Sequence, residues 1–327
     1  MASTGWRNQL RRMALAAIGA AALSGLIGPA AAYPDRPVTL VVPFAPGGPT
    51  DIIARILSLS LSQSLGAQVV VDNRGGAAGN IGMGQVARAT PDGHTLLLAS
   101  TAIAVNPALF KNLPYDPIKD FAPISELVNA PNVLVVHPES GINTIADLIA
   151  RAKAEPFNYA SPGAGTKSHL TGELLKLRAN IDMVHVPFRG AGPAAQAVLA
   201  RQIQLGSVAL AAAEAMIQSG QLRALAVTSE KRWFSLPNVP TMIEAGYPGF
   251  ISDTFQAVLA PAAVPAPILA TLVKESRAAF QKPEALAQAR KAGFEIVAGT
   301  PEQLAARIKA EIPAVQELVA KAGIPIQ

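Results

Sequence analysis

The residues that could do chemistry in this chain lie in loops that carry almost no side chains. Pro43-Phe44-Ala45-Pro46-Gly47-Gly48-Pro49-Thr50-Asp51 follows a short β-branched run. Its two adjacent glycines let backbone N–H groups turn into a pocket. A helix beginning near Thr50 adds partial positive charge at its N-terminus, so the segment can hold an anion without Lys or Arg. The same residues also suit an ordinary tight β–α turn capped by Thr50 or Asp51. A second loop, Asn73-Arg74-Gly75-Gly76-Ala77-Ala78-Gly79-Asn80, is equally bare. Gly79, Gly82 and Gly84 are not a dinucleotide fingerprint, because their spacing is G-x-x-G-x-G and runs into the helix. Ser161 to Ser168 looks phosphate-like, but Thr166 stands where a Gly must precede the Lys. It reads better as a polar cradle in which Ser161, Gly163, Gly165 and Thr166 present hydroxyls and N–H groups at a helix start. Arg189, in Val186-Pro187-Phe188-Arg189-Gly190, either clamps a carboxylate or is a solvated surface residue.

Other chemistries lack their ingredients. His94, His137, His169 and His185 form no H-x-x-x-H pair and no carboxylate cluster, so no metal is expected. There is no G-x-S-x-G elbow and no Cys. His169 reads first as a hydrogen-bonded structural residue. Ser161 with His169 is the nearest hydroxyl–imidazole pair a hydrolase reading can use, and no orienting acid can be named for it. Basic residues are dispersed without aromatic interleaving, which argues against a nucleic-acid partner. We expect a binding protein and not an enzyme, with no cofactor, acting as a monomer.

The chain has 327 residues, 27 Lys+Arg against 22 Asp+Glu, and a formal charge of +5. Half of it is hydrophobic, enough for a packed core. The first 32 residues read as an export signal: Arg7, Arg11 and Arg12, an apolar run Met13–Ile27, then small residues Ala30-Ala31-Ala32 before cleavage. About 15 apolar residues fall short of the roughly 20 that span a bilayer. Without this segment 24 bases face 22 acids, a formal +2, so bulk charge is not what captures a ligand.

These loops need elements to aim them. Runs at 38–42, 68–71 and 95–99 read as strands, and helical spacing covers 51–65 and 81–89. The pattern repeats with strands at 133–136, 158–160, 183–186 and 222–228 and helices at 144–154, 168–179 and 193–201. Three further helices, 267–280, 283–292 and 301–322, close the chain. Short buried strands between helices imply parallel sheets covered on both faces. Two such halves suggest two α/β lobes facing a cleft, with ligands at the carboxyl ends of the strands.

In this order the pieces resemble the Bug family, the substrate-binding receptors of tripartite tricarboxylate transporters. The carriers are Tyr33-Pro34-Asp35-Arg36-Pro37, the Pro43–Asp51 loop, Val71-Asp72-Asn73-Arg74, Pro91-Asp92-Gly93, Asn106-Pro107, Tyr159-Ala160-Ser161-Pro162-Gly163, His185-Val186-Pro187-Phe188-Arg189-Gly190 and Leu236-Pro237-Asn238-Val239-Pro240. The resemblance implies two Rossmann-like lobes with a ligand cleft, as in type II periplasmic binding proteins. It places lobe 1 at 33–131 plus 252–327 and lobe 2 at 132–251, with two crossovers. It implies a periplasmic receptor for a small carboxylate, a di- or tricarboxylate or an aromatic acid, delivered to membrane permease subunits. A receptor that signals to a membrane sensor fits the same sequence. The implied ligand contacts are Phe44, Ala45, Pro46, Gly47, Gly48, Gly76, Ala77, Ala78, Gly79, Thr101, Ser161, Gly165, Thr166, His169, Pro187, Phe188, Arg189 and Gly190, beside Thr50 and Asp51 from the first loop. One departure is Ala200-Arg201-Gln202-Ile203-Gln204, where the family commonly has Gly-Gly-x-x-Asp. Losing an acid and gaining Arg201 suggests an altered second-lobe environment, less suited to amino-bearing ligands. Phe255 stands at a family Trp position.

Overall fold

The computed structural model describes residues 33–327, so the expected export segment lies outside the described residues. Arg36–Gln327 forms one compact unit. Its elements are β1 (Val38–Val42), α1 (Pro49–Leu65), β2 (Val69–Asn73), α2 (Asn80–Ala87), β3 (Thr95–Ser100), α3 (Ala102–Leu109), β4 (Phe121–Val136), α4 (Ile145–Ala154), β5 (Asn158–Ser161), α5 (Lys167–Ala179), β6 (Val184–Pro187), α6 (Ala191–Leu199), β7 (Leu205–Ala209), α7 (Leu210–Gln218), β8 (Arg223–Val227), β9 (Asp253–Pro261), α8 (Ala266–Ala279), α9 (Pro283–Lys291), β10 (Glu295–Ile296) and α10 (Pro301–Lys321).

The main strand order is β2-β1-β3-β9-β4-β7-β5-β6, with β8 and β10 also on β4. β4 is the shared member. Its first part, Phe121–Pro131, pairs with β9, and its last, Asn132–Val136, pairs with β7 and β8. Two groups of strands therefore sit on either side of one 16-residue strand. The outer strands are parallel, β1 with β2 and β3, and β5 with β6 and β7. The centre is antiparallel, which corrects the all-parallel expectation. β9, β10 and α3 were not anticipated, nor was the first three-quarters of β4. Pro123 and Pro131 interrupt β4 as turn signals would, yet it continues through register shifts near Pro123 and Glu126.

Apolar faces explain the layers. Leu97, Ala99, Phe255, Ala257 and Leu259 pack beneath Met83 and Val86 of α2 and Leu304 and Ile308 of α10. In the other half Leu134, Tyr159 and Leu205 pack beneath Leu148 and Leu175. Gly172 of α5 is required there, because a Cβ at that position would lie 2.2 Å from the Tyr159 ring.

Where the chain passes between the halves, at Asn132 and again at Ser252, a buried polar knot forms. Asn132 N donates to Thr228 Oγ1 (2.9 Å) and Asn132 Nδ2 to the Ser252 carbonyl (3.0 Å). Thr228 N donates to the Asn132 carbonyl and Ser252 N to the Thr228 carbonyl. Ser168 Oγ of α5 donates to Asn132 Oδ1 (2.6 Å), and Thr171 Oγ1 shares a 2.6 Å bond with Ser252 Oγ. Truncating Asn132 strands buried partners, chiefly the Ser168 hydroxyl, and such groups cost about 1–3 kcal/mol each. Asn132→Ala is expected to lose about 2 kcal/mol in urea unfolding. A loss below about 0.5 kcal/mol, the range of ordinary surface changes, contradicts this account of the knot.

Candidate functional site

Parallel neighbours β2, β1 and β3 end side by side, so the loops after them meet. The segment Pro43–Gly48 lies against the second loop: a Cβ on Gly79 would sit 3.3 Å from the Phe44 ring and 3.1 Å from Met83. Asp51 holds the first loop in shape. Its carboxylate accepts from Gly47 N (2.9 Å), Arg55 Nε (2.9 Å) and Asn73 Nδ2 (3.1 Å), and Asn73 also donates to the Phe44 carbonyl. Burial alone would raise the Asp51 carboxyl, but the hydrogen bonds from Arg55, Gly47 and Asn73 outweigh it and hold the group below its ordinary range.

The second loop takes a conformation its residue types did not suggest. Gly76, Ala77, Ala78 and Gly79 all have positive φ, at 128°, 47°, 55° and 92°. For the two alanines this costs roughly 1–2 kcal/mol each. Asn106 Nδ2 offsets part of that by donating to the Ala78 carbonyl (3.0 Å), and it also donates to Asn80 Oδ1, which accepts from Tyr115 OH as well. Burial pushes the Tyr115 hydroxyl up to about 12. Thr101 Oγ1 accepts from Phe255 N (2.9 Å). At the three helices that start here the cap residues, Gly48 for α1, Gly79 for α2 and Thr101 for α3, make no side-chain cap bond, although Ser100 Oγ accepts from Ala102 N, the first N–H of α3 (3.2 Å). The chain does build complete capping boxes elsewhere, at Thr144 and Thr300.

A second cluster forms where β5 and β6 end. Phe188 N donates to the Ser161 carbonyl and Gly190 N to the Pro162 carbonyl, which binds the two loops together. Thr166 caps α5 by accepting from His169 N, and donates to the Gly163 carbonyl (2.8 Å). Gly190, at the start of α6, brings no side-chain cap. Arg189 is exposed and has no ion-pair partner among the described residues. The clusters are linked through α3, which starts at the first. At its far end Leu109 abuts Gly165, where a Cβ would lie 2.7 Å from Leu109 Cδ1. Leu170 of α5 packs with Val105, Leu109 and Val315, and Lys167 pairs with Glu311 of α10.

The anticipated residues thus divide by exposure. Ala45, Pro46, Gly47, Gly76, Ala77, Ala78, Pro187 and Arg189 are exposed, and Phe44, Gly48, Gly165, Thr166, Phe188 and Gly190 are half-buried. Thr50, Asp51, Gly79, Thr101, Ser161 and His169 are buried, so they support the loops from beneath. Ser161 bonds His185, not His169: its Oγ is 2.7 Å from His185 Nε2. His169 Nδ1 instead accepts from Gly165 N (3.1 Å). The hydrolase pairing is corrected accordingly, and the Ser161 hydroxyl has no exposed surface from which to reach a substrate. Arg201 lies near Glu155 and Phe157, at the amino end of these strands, where it pairs with Glu139. It is therefore remote from the loops and says nothing about ligand charge. Asn73, Asn80, Asn106, Tyr159, Glu173 and His185 were missed as participants. The available signal was polarity out of place, as with Asn106 in the apolar Ala102–Leu109. Among the described residues no group of three or more His, Cys, Asp or Glu could hold a metal, and no helix is long and apolar enough to cross a membrane.

The chain matches the model of the tripartite tricarboxylate transporter family receptor over residues 53–324. The solved structure of the periplasmic binding protein BugD is 38% identical, covers 90% of this chain and 100% of its own, and superposes with a TM-score of 0.80. Rpa4515 of R. palustris with adipate is 33% identical over 90% and 100% of the two chains, TM-score 0.82. MatC of Rhodopseudomonas palustris with bound malate is 31% identical over 88% and 100%, TM-score 0.78.

Two imidazoles dominate the acid response of this region. Burial pushes both His169 and His185 down to about 4, with the Lys176 charge adding to it and, for His185, the neighbouring His169 as well. The folded chain refuses protons that the unfolded chain accepts below its ordinary value of about 6.5. Stability is therefore full above about pH 6.5 and falls as pH drops towards 4, by up to about 1.4 kcal/mol per unit for each imidazole. Urea unfolding at pH 7.5, 6 and 5 checks this, and His169→Phe is expected to show a shallower slope. A flat profile in the parent chain contradicts it.

Proposed function

The chain belongs to the tripartite tricarboxylate transporter receptor family, and on that premise we propose that it is a periplasmic receptor that takes a small carboxylate between its two lobes and delivers it to membrane permease subunits. The lobes are 33–131 plus 252–327 and 132–251, and they close on the ligand about the two crossings near Asn132 and Ser252. The observation that carries this reading is the set of three adjacent helix starts, α1, α2 and α3, at the ends of β1, β2 and β3, whose cap residues leave the first-turn N–H groups without side-chain acceptors apart from Ala102 N, which Ser100 takes. Their N–H groups and helix dipoles favour a carboxylate. Gly and Ala in the loops leave the backbone open to it. Arg189 on the second cluster supplies a cation with no carboxylate of its own. Adipate and malate in two related structures support the ligand class. The sequence of the first 32 residues supports export.

The test is a melting and calorimetry panel of di- and tricarboxylates, aromatic acids and amino acids. A cognate carboxylate at 100 times its Kd is expected to add about 2.7 kcal/mol to stability. If every acid leaves melting and heat unchanged, the ligand class is wrong. Arg189→Ala is expected to weaken carboxylate binding about tenfold, with stability within about 0.5 kcal/mol of the parent. Unchanged affinity would assign anion capture to backbone groups alone.

A further inference from the structure

Beneath the loop Ser161–Thr166 lies a column of three rings that the loop reading does not use. Tyr159 of β5 stacks on His185 of β6 at 5.0 Å between centroids, and His185 stacks on His169 of α5 at 4.0 Å. Each imidazole takes one polar group of the loop. Gly165 N donates to His169 Nδ1 at 3.1 Å, and Ser161 Oγ meets His185 Nε2 at 2.7 Å. Other bonds hold the Ser161, Pro162 and Gly163 carbonyls, but among the described residues only the His169 imidazole takes the N–H of Gly165, a residue with positive φ and no side chain of its own.

The arrangement fixes a protonation state. Because His169 Nδ1 accepts, the proton of the neutral ring is on Nε2, which faces Glu173 Oε1 at 4.0 Å. Glu173 accepts from Tyr159 OH (2.6 Å) and pairs with Lys176 Nζ (3.2 Å), so the two full charges nearest the column offset each other. From β4 and β7, Asn132 and Ser207 meet the adjacent Ser168, and neither ionises. Lys167, at the start of α5, is paired with Glu311 of α10. A second proton on His169 would point an N–H at the N–H of Gly165 and place a buried cation 4.0 Å from the His185 ring.

We propose that His169 and His185 are positioning residues for the anion-binding loop, held neutral with the His169 proton on Nε2, and that His169 acts on the ligand only through Gly165. This rests on the receptor reading for its ligand, but not for its geometry. Both rings then stay uncharged from pH 8 to about 5.5, and the loop keeps its shape over that range.

Two measurements separate the claims. Long-range ¹H–¹⁵N spectra of the full mature chain are expected to show His169 Nδ1 bare and Nε2 protonated, with neither ring titrating between pH 8 and 5.5. A His169 proton on Nδ1, or titration near 6.5, overturns the proposal whatever the protein binds. Calorimetry with adipate and malate then compares variants. His169→Leu removes the acceptor and is expected to weaken binding at least about tenfold. His169→Asn restores an acceptor that does not titrate and is expected to recover most of that loss. A purely packing role predicts the reverse, with Leu tolerated and Asn impaired. If neither acid binds the parent chain, this receptor reading for adipate and malate fails, while the spectra still decide the positioning claim.

Discussion

The two crossings between the halves are tied together by the hydrogen-bond knot of Asn132, Thr228 and Ser252. A chain that leaves one sheet and enters another exposes backbone polar groups that neither ladder can pair. Buried without partners, each would cost more than a packed contact returns. Asn132 and Thr228 satisfy them with side chains of the right length, and both are fully buried. The knot also reaches outward. Ser168 and Thr171 tie α5 to it, so the helix that begins at the Ser161–Thr166 loop is anchored to the crossing itself. On the other side Arg307 of α10 bonds Glu126 and Asp253 and lies over the Phe255 ring at 4.6 Å. Burial raises the Glu126 carboxyl, and the Arg307 charge and hydrogen bond oppose it without overcoming it. Phe255 in turn donates its backbone N–H to Thr101, where α3 begins. Both loop clusters are thus referenced to the same few residues.

That shared reference bears on how the proposed receptor could hold an anion through its loops and not through bulk charge. Charged side chains near the first loop are spent on each other: Asp51 is paired with Arg55 and hydrogen-bonded to the loop. What remains facing outward is backbone. Oriented N–H groups attract a carboxylate strongly only when they are fixed before it arrives, because reorganising them would consume the gain. Buried and half-buried supports do that fixing: Asp51 and Asn73 for the first loop, Asn106 and Asn80 for the second, His169 and Thr166 for the third.

Periodicity made the outer strands and the peripheral helices legible. Val38–Val42, Thr95–Ser100 and the three C-terminal helices follow from apolar runs, spacing and N-terminal prolines. The central strands were not legible, for a physical reason. β4 contains Pro123, Ser125, Glu126, Asn129, Pro131 and Asn132, which read as loop residues, yet Ser125, Glu126 and Asn132 have roles that local sequence cannot show. Ser125 Oγ donates to the Gly299 carbonyl, Glu126 receives Arg307, and Asn132 ties the crossing, all with partners more than 90 residues away. The glycine-rich loops were legible as loops, whereas their supports were not. An Asn in an apolar helix, such as Asn106, carries a visible signal; His185 carried none, because its ring partner is on another element.

The same logic explains why the two clusters differ in construction. The first is built by adjacent parallel strands whose loops touch, so its shape is set within one half of the molecule. The second depends on α5, and α5 depends on both halves: Ser168 on the crossing, Leu170 on α3 and α10, Lys167 on Glu311. Under the closure proposed above, the contacts of α5 with α3 and α10 are the ones that cross between the lobes, whereas the bonds within β1–β3 lie inside one lobe. The Gly165–Leu109 contact joins α3 to the Ser161–Thr166 loop, and there the absence of a Cβ lets the two halves approach within van der Waals distance.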